Sequence, residues 1–192
     1  MNSYRHELLV GNFAGIPILQ QHGGADDNVP AYHSRRMNQL ISQAGGFSEY
    51  IELPGAAHWF DGVMTTGPLR DFYQYHLERH RTLPALPMQF SIVVANPADM
   101  GSRGGIVVDQ LIAPEKYGSI HVQRVPSSSI WILHTGNIRR FHLTHLFPVD
   151  VSLQVDQSPE FLSSERVHES DDIFERLPDG IWQVSWLIFR QE

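Results

Sequence analysis

Two short stretches of the chain combine residue types that can move protons. The first is His22-Gly23-Gly24-Ala25-Asp26-Asp27-Asn28-Val29-Pro30, and the second is Pro54-Gly55-Ala56-Ala57-His58-Trp59-Phe60. Each follows a short apolar run that reads as a strand, Ile16–Gln21 and Glu49–Leu53. If those strands are parallel neighbours, the loops leaving their carboxyl ends lie side by side. Asp26 and His58, 32 positions apart, then meet. A carboxylate that accepts a hydrogen bond from one imidazole nitrogen fixes the tautomer and stabilises the protonated ring. The other nitrogen is left to take a proton from a nucleophile.

The elements that would hold these loops are legible in outline. Pro30 opens a helical segment running to about Ala44, with Met37, Leu40 and Ile41 on one side and Gly45-Gly46 as its stop. A second helix is expected from about Pro68 to Arg81, with Leu69, Phe72, Tyr73, His76 and Leu77 along one face. Strand, helix, strand, helix is the order of a parallel α/β sheet. Two strands and two helices cannot cover both faces of such a sheet, so the segment reads as the edge of a larger one. Partly exposed apolar faces, including Ile16 and Ile18, then predict self-association.

The character of the chain changes near residue 83, where Leu83-Pro84-Ala85-Leu86-Pro87 reads as an extended linker. Beyond it come β-rich runs at Gln89–Ala95, Gly105–Ile112, Ser119–Val125, Ile130–Thr135, Ile138–Leu146, Val151–Val155 and Ile181–Arg190. Their spacing points to an antiparallel β-sandwich-like domain. The polar stretch Glu160 to Asp179 reads as a long loop. The expected organisation is therefore residues 1–82 as an α/β unit at the edge of a parallel sheet, 83–87 as linker and 88–192 as the β-sandwich-like domain.

The pattern PILQQHGGADDNVPAYHSRRM followed by EYIELPGAAHWF resembles the C-terminal end of the catalytic domain in the prolyl oligopeptidase family of serine peptidases. The resemblance implies that residues 1–82 are part of an α/β-hydrolase catalytic domain. The likeness runs from residue 12 to about residue 80. It implies that Asp26 is the triad acid and His58 the general base, that Asn28 contacts the substrate backbone, and that Trp59 lines the pocket wall. More faintly, VVANPADMGSRGG and HTGNIRRFHL resemble a β-rich segment that follows the hydrolase domain in large fungal members.

The family's nucleophile elbow, Gly-x-Ser-x-Gly, occurs nowhere in the 192 residues. Gly46-Phe47-Ser48-Glu49-Tyr50 lacks the closing glycine and falls after the acid. An acid and a base without a nucleophile form no acyl-enzyme. The expectation is thus a serine-peptidase fragment, inert on its own, that acts on a peptide only when another segment supplies the serine. A non-catalytic interaction or glycan-binding module is the competing reading.

Other features carry plainer expectations. His76 and His80 are four apart on a helix but have no third ligand, and His142 and His145 would point to opposite faces of a strand, so no metal and no cofactor are expected. The glycines at 101, 104 and 105 lack a following phosphate-binding lysine and read as loop. Asp171-Asp172 reads as solvated loop, and Trp131, Trp182 and Trp186 as core anchors. Arg139-Arg140-Phe141 could imitate a nucleic-acid platform, but a net charge of −7 and pI near 5.8 argue against that class. No run of ~18 apolar residues suggests a membrane span. With no cysteine and no leader-like N-terminus, a cytoplasmic location is the default.

Overall fold

A computed structural model describes residues 5–79, 86–125, 127–148, 150–158, 162–163 and 172–186. Two compact units divide the chain, one being His6–Pro87 and the other holding the described residues from Met88 onward. The expected linker lies only in part among the described residues. His80, Asp171 and the last part of the run Ile181–Arg190 lie outside them.

In the first unit a 3-10 helix, His6–Phe13, leads into β1 (Pro17–Gly23), α1 (Tyr32–Gln43), β2 (Phe47–Leu53) and α2 (Gly67–Arg79). Strands β1 and β2 pair in parallel, from Pro17 opposite Phe47 to Gly23 opposite Leu53. Helix α1 stops where its sequence says it should: Gly45 adopts φ +80°, and the amides of Ala44 and Gly46 return to the carbonyls of Leu40 and Ile41. Arg35 on α1 grips Glu52 on β2 with both arms of its guanidinium, Nη2 lying 2.8 Å from Oε2. That pairing raises the Arg35 pKa and lowers that of Glu52. Burial lifts the neighbouring Tyr50 phenol.

The second unit contains β3 (Gln89–Val94), β4 (Ile106–Leu111), β5 (Gly118–Val125), β6 (Ile130–Gly136), β7 (Ile138–Leu143), β8 (Ser152–Val155), β9 (Leu162–Ser163), β10 (Asp172–Arg176) and β11 (Trp182–Trp186). One sheet has the order β3-β5-β6-β8-β9, the other β11-β10-β7-β4. Every pairing is antiparallel except β6 with β8. Period-two burial turns Phe90, Ile92, Val94, Ile120, Val122, Leu133, Leu153 and Val155 of the first sheet inward. From the second sheet Ile106, Val108, Ile138, Phe141, Leu143 and Phe174 join them. A Cβ on Gly118 of β5 would meet Ile138 and Leu111 at 2.6 Å, so the two sheets share one core. Inside it Phe141 stacks flat on Phe174, with centroids 4.7 Å apart.

These findings correct the expected fold class. The described residues are mainly β, in antiparallel and mixed sheets with a few short helices, and they form no parallel α/β-hydrolase core. Parallel sheets persist when both faces are buried. Here the parallel element is a single strand pair, and every residue of it except Gly23 keeps some solvent exposure. Among the described residues, the buried apolar side chains of this unit are Ala14 and Ile41. Ile16 is 46% and Phe47 60% exposed.

The second half is corrected too, since the parallel β6–β8 pairing makes the larger sheet mixed rather than antiparallel. Strands β9 and β10 lie within the stretch read as loop. In β10 the acidic and basic neighbours of Phe174 mask a strand that is central, between β7 and β11.

Asp156, just past β8, binds the two sheets. Its carboxylate accepts bonds from the amide and hydroxyl of Thr135 at 2.7 and 2.8 Å and from Nε1 of Trp182 at 2.9 Å. Asp156→Ala should therefore lower unfolding stability by about 1–3 kcal/mol, because it strands a buried indole N–H. Phe141→Ala should cost about 3–5 kcal/mol by opening a cavity. Urea unfolding of the two variants followed by tryptophan fluorescence checks both values.

Candidate functional site

The parallel pairing places the ends of β1 and β2 level, at Gly23 and Leu53. The loops that follow are then stitched together by the backbone. Gly24 donates to the Leu53 carbonyl at 2.8 Å and Ala25 to the Ala56 carbonyl at 2.9 Å. So close an approach requires glycine at position 23, where a Cβ would collide with the carbonyls of Ala56 and Ala57. Gly55 turns the second loop at φ +73°.

This framework brings Asp26 and His58 together. Nδ1 of His58 lies 3.0 Å from Oδ2 of Asp26. A carboxylate only accepts, so Nδ1 carries the proton. Among the described residues nothing bonds Nε2 of His58, and the side chain is 29% exposed against 5% for Asp26. The second carboxylate oxygen, Oδ1, accepts from the amides of Asn28 and Val29, each at 2.9 Å. The Val29 amide, with the His58 and Asn28 bonds after it, holds the Asp26 pKa down to about 2, against an opposing contribution from burial. Asp26 is thus an anion whenever the protein is folded near neutral pH.

Two residues expected at the substrate side are placed beside the pair. Asn28 gives its amide to Asp26 and leaves its side chain exposed. Trp59 is 81% exposed and meets the His58 ring edge-on, centroids 5.2 Å apart.

Reading the residues alone missed His22 and Ser34. His22 Nε2 lies 2.9 Å from the Val29 carbonyl and 3.2 Å from Oδ2 of Asp26, and Nδ1 lies 2.8 Å from the Ser34 hydroxyl. The i, i+4 spacing of His22 and Asp26 was the available signal. It carries no weight until the loop is known to fold back on its own strand.

The remaining candidates stand apart from this site. His142 pairs with Asp109, 2.8 Å away at a β4 bulge, and the ring of His76 sits 4.4 Å from that of Phe72. His134 and His145 are exposed, and no cluster of three metal-ligating groups occurs among the described residues. Arg139 pairs with Glu175 at 3.2 Å while Phe141 is buried, so the Arg-Arg-Phe run presents no aromatic platform. Trp131 and Trp182 are buried, at 4% and 5% exposure. No described helix is long and apolar enough to cross a membrane.

No family model matches the chain, and no solved structure does. It is 49% identical over 141 residues, 73% of its length, to an uncharacterized secreted protein of Arthroderma benhamiae. The match spans 15% of that relative's own length. The default expectation of a cytoplasmic location is corrected by this relative, which is a secreted protein.

A carboxyl whose folded pKa is depressed contributes stability above the ordinary carboxylate range and loses it as pH falls through the folded value. Acid should therefore loosen the 24–58 loops between about pH 4 and 2. His58→Phe should raise the Asp26 midpoint from about 2 without reaching the ordinary 3.8, since the Val29 and Asn28 amides remain. Carboxyl 13C titration of wild type and variant reads both midpoints.

Proposed function

We propose that residues 22–60 carry the acid–base part of a serine-type peptidase site, as the resemblance to the prolyl oligopeptidase family implies. One observation carries this reading: His58 is bonded through Nδ1 to a buried, anionic Asp26, while among the described residues nothing bonds its Nε2. That is the arrangement a general base needs, because the acid sets the tautomer and stabilises the imidazolium formed when a proton is taken. Asn28 and Trp59 are exposed next to Asp26 and His58 respectively and are the residues for a peptide to meet.

The attacking hydroxyl is supplied by another polypeptide segment, since no Gly-x-Ser-x-Gly is present in these residues. Similarity to a much longer secreted protein is compatible with such a segment and supports an extracellular setting. A glycan-binding role for the β-rich unit gains nothing from Trp131 and Trp182, whose rings are in the core.

The purified chain should take up no fluorophosphonate probe, and its hydrolysis of peptide substrates should not differ from that of His58→Ala. Mass spectrometry of the probe-treated chain decides the first point. A labelled serine, Ser34 included, would overturn the proposal that the nucleophile comes from elsewhere.

A further inference from the structure

We propose that His22 is a positioning residue for the Asp26–His58 pair, itself held in one tautomer by Ser34. This rests on the reading of that pair as an acid–base unit. Oδ2 of Asp26 is the atom on which both imidazoles converge, His58 Nδ1 at 3.0 Å and His22 Nε2 at 3.2 Å. The Val29 carbonyl, 2.9 Å from Nε2 of His22, can only accept, so Nε2 bears the proton and shares it between Val29 and Asp26. Nδ1 of a neutral His22 is then left with a lone pair, and the Ser34 hydroxyl donates to it at 2.8 Å.

The need for such a residue follows from the other contacts. The amides of Asn28 and Val29 hold Oδ1, but both belong to the same short loop as Asp26. Oδ2 faces His58, whose own orientation depends on Oδ2. His22 adds an anchor from outside that loop, because it stands on β1, opposite Glu52 of β2, in the hydrogen-bonded register of the strand pair. Its side chain is 9% exposed and that of Asp26 5%, so water is a poor substitute for the missing donor. Ser34, on the first turn of α1, links the same ring to the helix. The carboxylate that sets the proton on Nδ1 of His58 is thus tied to the strand and the helix through His22 and Ser34.

The test is the tautomer of His58, read from imidazole 15N and 1H shifts of the whole chain at a pH where the ring is neutral. Wild type should show the Nδ1–H form with a downfield, hydrogen-bonded proton. His22→Phe should weaken that bond, moving the proton upfield and raising the share of the Nε2–H form. His22→Gln, which returns an N–H donor, should restore it in part, and Ser34→Ala should weaken it. Should His22→Phe fail to fold by its amide spectrum, Ser34→Ala and His22→Gln decide the matter. If folded variants all keep the wild-type His58 tautomer, the role of His22 is overturned and the pair stands. If wild type itself lacks the bonded Nδ1–H, the acid–base pair fails and this proposal with it.

Discussion

The site depends on one constraint, the level parallel pairing that sets Gly23 against Leu53. Once two strands end side by side, their loops leave in the same direction and their backbones can bond to each other. The hydrogen bonds from Gly24 to Leu53 and from Ala25 to Ala56 are the first result. The carboxylate of Asp26 behind the ring of His58 is the second. A slip of one residue in this register would move both loops and turn each side chain to the opposite face.

The two units reach order by different means. Beyond Met88, order comes from volume: alternating apolar residues of two sheets fill a shared core, and a single carboxylate, Asp156, ties three donors from both sheets. In His6–Pro87 little apolar surface is buried, and polar links carry more of the work. The Arg35–Glu52 clamp joins α1 to β2, while Gln21 bonds the Val63 carbonyl and the Thr66 hydroxyl ahead of α2. Directional bonds of this kind specify geometry well while adding little net stability each.

Much of the local structure was readable from residue types. The Gly45-Gly46 stop, the apolar run before His22 and the alternation in Val151–Val155 each report a local preference, and each corresponds to an observed element or its end. The failures are equally local in origin. Phe174 sits among charged residues, so β10 looks like loop until β7 and β11 are known to flank it. The parallel partnership of β8 with β6 leaves no trace in either strand, because pairing direction is decided by the path of the chain between them.

What the amino-acid sequence determined by itself is the chemical inventory: an acid, a base 32 residues later, glycines where loops must come close, no cysteine and no serine elbow. Tertiary structure decided the rest. It chose a mainly β architecture over a parallel hydrolase core, and it gave Asp26 a second imidazole from His22 that no motif announced. The physical reason is range. Residue identity and short-range spacing encode protonation chemistry and turn geometry, whereas the partners of a buried carboxylate are set by which strands end together in space.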